Sequence, residues 1–198
     1  MVQTTNYKNK YLKYKLKYEN LKKQKGGNHN ELILKKIDDA LKKVNHIIVN
    51  GIYHKKYDTT YGELLHSELG KIFDNIVEKN DVFIDLGSGR GLLLFYMILK
   101  YGIKSIGIEI IEKRHNVAVE LSKILLDNKQ KNLLKLIKGD FFEQKLEEGT
   151  IFYCDNTMYD NNLENKLINN ILDQKKNSNN PIKFLIFKKR VNHEKLKY

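Results

Sequence analysis

Residues 82–91, Val-Phe-Ile-Asp-Leu-Gly-Ser-Gly-Arg-Gly, hold the pattern most capable of chemistry. An apolar run ends in an acid, Asp85, and glycines follow at alternate positions: Gly87, Gly89 and Gly91. A helical pattern starts at Leu92. Strand, glycine turn and helix start, in that order, hold adenosine-type cofactors in α/β proteins. Lacking side chains, such glycines let backbone N–H groups come close to the cofactor. A dinucleotide fingerprint would place its third glycine where this chain has Leu92. The spacing found, with Asp85 in front and Ser88 inside the turn, favours S-adenosyl-L-methionine instead.

Open α/β sheets bind ligands beyond the carboxyl ends of their strands. Four predicted strand ends in order carry polar groups: Asp85, Glu109, Asp140 followed by Phe141, and Asp155 followed by Asn156. Asp85 is suited to orienting the turn and the amino group of the methionine part. Glu109 is suited to the ribose hydroxyls. Asp140 is suited to the adenine amine, and Phe141 to the ring face. Two bland alternatives remain open: Glu109 as an exposed acid at a helix start, and Asp140 as an N-cap. No metal is called for, and no histidine is placed as an obvious base.

The elements around these residues alternate. Strands are expected at 82–86, 103–109, 133–138, 150–154 and 183–188. Helices are expected at 91–101, 112–127 and 160–174, with a short turn or helix at 143–148. Alternation of this kind predicts a doubly wound, mostly parallel sheet of the Rossmann-like class I methyltransferase type. Upstream, Leu34, Ile37, Leu41, Val44 and Ile48 mark an amphipathic helix, which Asn50-Gly51 ends. Leu65, Leu69, Ile72, Phe73 and Ile76 mark another. The expected division is a basic tail at 1–30, a helical lead-in and lid loop at 31–62, and the methyltransferase domain at 63–198.

The tail carries Lys8, Lys10, Lys13, Lys15, Lys17, Lys22, Lys23 and Lys25 against a single acid, Glu19. Tyr7, Tyr11, Tyr14, Tyr18 and Leu21 form a short stripe, and Gly26-Gly27-Asn28 breaks it. The formal net charge of the chain is +12, which favours nucleic acid or chromatin as a partner. One cysteine, Cys154, excludes an internal disulfide and a cysteine-based zinc site, and fits a reducing intracellular setting. No apolar run approaches the ~20 residues a membrane helix needs. The tail is similar to Tyr/Lys-rich leaders of giant DNA virus proteins, which implies a host nucleus, a cytoplasmic virus factory or a virion as the location.

Thr60-Tyr61-Gly62-Glu63, then Asp81 through Gly91, then Gly107-Ile-Glu109, then Gly139-Asp-Phe-Phe142 stand in a distinctive order. This run resembles the DOT (disruptor of telomeric silencing) family of histone-lysine methyltransferases. The resemblance implies a nucleosomal substrate, with methyl transfer to a lysine of the folded histone core. It implies that Tyr61, Gly62 and Glu63 form a loop over the methionine end of the cofactor. It places Asp155-Asn156-Thr157 and Tyr159 at the family's fourth strand end, where Asp155 and Asn156 would position the amine and Tyr159 would wall its channel. Tyr53 and Tyr57 are further wall candidates. The chain departs from the family at Leu64, where threonine is usual, and Arg190 to Tyr198 are too few for the usual closing hairpin. The basic tail would hold nucleosomal DNA. Two other readings stay open: a methyltransferase of nucleic acid or of another protein, and a non-catalytic cofactor-binding or structural protein of chromatin or virions.

Overall fold

The computed structural model describes residues 27–44, 66–176, 178–193 and 195–196. Two helices, α1 (Gly27–Val44) and α2 (His66–Phe73), precede an alternating run. The run is β1 (Val82–Leu86), α3 (Leu92–Tyr101), β2 (Lys104–Glu109), α4 (Glu112–Leu125), α5 (Asn128–Lys131), β3 (Leu134–Lys138), β4 (Ile151–Cys154), α6 (Asn161–Lys175) and β5 (Phe184–Phe187). A single 3₁₀ turn, Phe141–Glu143, follows β3.

The strands pair in the order β3-β2-β1-β4-β5, and every pairing is parallel. The chain therefore builds outward from β1 to β3, then crosses back to lay β4 on β1's other side. That reversal opens a crevice above the carboxyl ends of β1 and β4. The expected doubly wound sheet is thus observed.

Side-chain alternation explains why both faces are covered. Val82, Ile84 and Leu86 of β1 join Ile106, Ile108, Phe152 and Cys154 on the face that α6 covers. Phe83, Ile151 and Tyr153 point to the other face, where α1, α2, α3 and α4 pack. The pattern makes Asp85 an anomaly, because its register puts a carboxyl among the apolar residues of that second face.

Several boundaries move. Helix α1 starts at Gly27, within the Gly26-Gly27-Asn28 segment expected to break the chain. Its Ile33, Ile37, Ala40 and Val44 are buried in the same cluster as α3 and α4. Helix α1 thus spans residue 30 and is part of the packed body, while residue 62 lies outside the described residues. Helix α4 stops at Leu125, because Asp127 and Gln130 form a reciprocal capping box that starts α5 afresh. The helical turn expected at 143–148 lies earlier, where Asp140 caps it. Residues 45–65, including the predicted end of the first helix, lie outside the described residues. Among the described residues no helix is long and apolar enough to cross a membrane.

Gly107 shows how tightly the turn sits on the sheet. A Cβ there would fall 2.3 Å from Leu94 Cδ1 and 2.7 Å from Ser88 Oγ. Gly107→Ala is expected to cost about 1–3 kcal/mol through overpacking. Its thermal midpoint should fall by several degrees; a midpoint equal to wild type would mean that the turn can lift off β2 freely.

Candidate cofactor site

The turn after β1 is locked from within. Gly87 and Ser88 both donate their N–H groups to Ile108 O, at 2.9 and 3.0 Å, and Gly91 N donates to Ser88 O at 2.8 Å. Gly89 N donates to Glu109 Oε2 at 2.7 Å. Gly87, Gly89 and Gly91 all take positive φ, which L side chains rarely adopt. Gly91 also sits at the mouth of α3, where an added Cβ would meet Ala118 at 3.2 Å.

This corrects two expectations. The N–H groups of Gly87, Gly89 and Gly91, expected to come close to the cofactor, already have protein partners. Ser88 is buried, and its hydroxyl lies over Gly107 beneath the turn. What the turn offers a ligand is a surface without side chains: nothing lies within 4 Å of where a Gly87 Cβ would stand.

Glu109 ends β2 and is only 4% exposed. Besides Gly89 N, it accepts Ile111 N on Oε1 at 2.7 Å. Each carboxylate oxygen keeps a further lone pair, so the group is able to take a diol as well. Burial pushes its pKa up; the amides of Ile111 and Gly89 and the charge of Arg114 pull the other way. It is not the exposed acid of the bland alternative. Asp140, buried at the end of β3, accepts Phe142 N on Oδ1 at 3.0 Å. It is an N-cap, as one alternative held. Phe141 is half-buried and packs on Phe142 with ring centroids 4.7 Å apart.

Asp85 is different. It is 4% exposed, yet no hydrogen-bond donor reaches it among the described residues. Its strand neighbours in register are Gly107 and Tyr153. Burial, then the charges of Glu109 and Asp155, raise its pKa to about 8. A buried carboxyl without a partner is costly, and such groups concentrate at functional sites. Among the described residues no three His, Cys, Asp or Glu side chains converge as metal ligands. An organic cation would suit a carboxyl in this position. S-adenosyl-L-methionine, with an ammonium, a sulfonium, an adenine and a ribose diol, fits Asp85, Phe141 and Glu109 in that chemistry.

At the end of β4 the polar residues divide. Asp155 pairs with Lys188 at 2.8 Å and accepts Thr157 N and Oγ1 on Oδ1. Burial would raise its pKa, but Lys188 and Thr157 outweigh that and hold it below the usual carboxylate range. Asn156 is fully buried. Its Nδ2 donates to Glu164 Oε1 at 2.7 Å and to Lys189 O at 3.0 Å, and its Oδ1 accepts Lys189 N at 2.7 Å. With those bonds made inside the fold, its side chain does not meet a substrate amine, contrary to expectation. Tyr159 packs partly buried on the α6-side core. Tyr61, Gly62 and Glu63, with Tyr53 and Tyr57, lie outside the described residues.

Sequence reasoning missed Arg114, Glu164, Lys188 and Lys189. Arg114 is buried in the first turn of α4, where a cation five positions after a site acid was a readable signal. The lysines carried none, because 36 lysines and arginines obscure any particular pair.

Residues 43–194 match the family model described as "Histone methylation protein DOT1". The chain belongs to this family. A relative from Emericella nidulans, "Histone-lysine N-methyltransferase, H3 lysine-79 specific", is 30% identical over 135 residues, covering 62% of this chain and 27% of the relative. A relative of the same description from Caenorhabditis elegans is 34% identical over 127 residues, covering 57% of this chain and 13% of the relative. The chain thus matches about a quarter or less of the length of these curated relatives. Among solved structures, an RNA methyltransferase from Salinibacter ruber with bound S-adenosyl-L-homocysteine overlays with a TM-score of 0.46 at 25% identity, covering 54% of this chain and 65% of that one.

The Asp85 carboxyl makes stability depend on pH in a definite direction. Its folded pKa lies above the unfolded value, so its contribution is complete below about pH 4 and is withdrawn as pH rises through about 8. Asp85→Asn, which cannot ionise, is expected to gain stability relative to wild type between about pH 5 and about pH 8. Urea midpoints measured across that range test this; a constant difference between the two proteins would mean that Asp85 is not a strained acid.

Proposed function

We propose that the chain is an S-adenosyl-L-methionine-dependent methyltransferase of the DOT family, transferring methyl to a core lysine of histone H3 in the nucleosome. The observation that supports this most directly is the buried Asp85 carboxyl, without a hydrogen bond among the described residues, below a locked glycine turn in a chain of that family. The cofactor, when bound, supplies a methyl group on a positively charged sulfur.

The chain's own residues would do the rest. Asp85 would hold the ammonium end, and Glu109, pinned by two amides, would take the ribose hydroxyls. Asp140 and Phe141 would hold the adenine, and Gly87, Gly89 and Gly91 would supply the bare surface beside it. Gly62 and Glu63 would close the loop over the methionine end with Tyr61. Asp155, kept ionised by Lys188, draws a cationic lysine toward the crevice. Tyr159, and Tyr61 with it, would desolvate the amine and so favour the neutral nucleophile. In-line transfer then depends on alignment and on excluding water. The basic residues 1–26 would hold nucleosomal DNA by salt-sensitive phosphate contacts, with action in a nucleus. Methyl transfer to nucleic acid stays as the second reading, because the basic charge favours that polymer as much as chromatin.

Incubation with labelled S-adenosyl-L-methionine and, in turn, nucleosomes, free histones, DNA and RNA separates these. Label is expected on H3 when nucleosomes are supplied; label on RNA or DNA alone would overturn the histone reading. Glu109→Ala is expected to weaken binding of S-adenosyl-L-homocysteine by about tenfold or more, since hydrogen bonds to a charged group are lost. Unweakened binding would remove Glu109 from the site.

A further inference from the structure

Three segments meet beside the crevice through one residue, Lys189: the end of β5, the loop after β4 and the first turn of α6. Its N–H donates to Asn156 Oδ1 and its carbonyl accepts Asn156 Nδ2, so its backbone is stitched to the residue after Asp155. Its ammonium reaches further. Lys189 Nζ lies 2.9 Å from Glu164 Oε1 in the first turn of α6 and donates to Tyr159 O at 2.7 Å. Glu164 is 3% exposed and also accepts Asn156 Nδ2. The segment held this way, residues 155–160, carries both Asp155 and Tyr159.

Lys188 grips the same segment at its other end, through the Asp155 carboxylate at 2.8 Å. Tyr159 N donates to Asn156 O at 3.0 Å, so both backbone groups of Tyr159 are tied to this network. We infer that Lys189, acting with Glu164 and Asn156, is a positioning residue that fixes Asp155 and Tyr159 on the acceptor side of the crevice. The inference rests on the methyltransferase reading of the site. A simple anchor for α6 would need only the Lys189–Glu164 pair. The bond to the Tyr159 carbonyl serves the loop and not the helix. The hydrogen bonds and ion pair of Lys189 go to Asn156, Tyr159 and Glu164, and not to the Gly87–Gly91 turn, Asp85 or Glu109, so its loss should spare the cofactor side.

Geometry on the acceptor side governs the chemical step, where a displacement of about 1 Å can cost about a hundredfold in rate. Lys189→Met removes the ammonium and leaves the buried Glu164 charge without its cation. Glu164→Gln is the milder variant, since it keeps an acceptor for Asn156 and leaves no buried charge. Lys189→Arg restores a cation that is able to bridge both partners. Lys176→Met, which breaks only an exposed pair with Asp173, is the control.

The test measures three things on the full chain: affinity for S-adenosyl-L-homocysteine, kcat and KM with nucleosomes, and amide exchange of Tyr159. For Lys189→Met, and less strongly for Glu164→Gln, affinity should stay within about twofold while kcat falls by about tenfold or more. Tyr159 exchange should rise, and Lys189→Arg should recover most of kcat. Unchanged kcat, or cofactor affinity lost in parallel with kcat, would overturn the inference. Should wild type methylate no nucleosome, the proposed function fails by itself. Tyr159 exchange then decides the clamp alone: faster exchange in Lys189→Met upholds it, and wild-type exchange overturns it.

Discussion

A carboxyl only 4% exposed that takes no hydrogen bond among the described residues is the constraint on which the site depends. Asp85 is buried at the end of β1 with Glu109 and Asp155 near enough to raise its pKa further. The fold treats its other acids differently. Asp155 has Lys188, Glu164 has Lys189 and the Asn156 amide, and Asp81 has Lys183 and the Thr150 hydroxyl. Glu109 takes two backbone amides. Among the described residues Asp85 is the one of these acids that takes no hydrogen bond, which leaves its carboxyl able to take a partner from outside.

The surroundings of Asp85 follow from the same requirement. Parallel register places it between Gly107 and Tyr153, and only a glycine at 107 lets the turn lie this close to β2. The turn is then rigid without help from a ligand, since Ile108 O and Glu109 take its amides. The crossing of the chain from β3 to β4 sets the crevice beside Asp85, not at a sheet edge. The bonds of Lys188 to Asp155 and of Lys189 to Asn156 and Tyr159 extend this order to the loop after β4.

Much of this was legible in the residues. The five strands appeared within a residue or so of their observed places, because apolar runs bounded by Gly, Asn and Asp carry a strong signal. Asp85, Glu109, Asp140 and Phe141 stand at strand ends as expected, since a parallel sheet brings those ends to one edge. What was not legible was which hydrogen bonds each polar group makes. Asn156 and Asp155 are adjacent and alike in sequence, yet one is spent inside the fold and the other pairs with Lys188. That difference is set by Lys189 and Glu164, which lie 33 and 8 residues away along the chain. Nor could composition show that α1 begins at Gly27, because two glycines read as a break until Ile33 and Ile37 are seen packed in the core.

The central claim, that Asp85 is a protonated acid waiting for a cation, is tested most directly by proton release on binding. S-adenosyl-L-methionine is titrated calorimetrically near neutral pH in buffers of differing ionisation heat. With a pKa of about 8, Asp85 holds its proton in most free molecules and must give it up to pair with the ammonium. Release of close to one proton per site is expected, and its disappearance in Asp85→Asn. Binding that releases no proton in wild type, or the same release in the variant, would contradict the account.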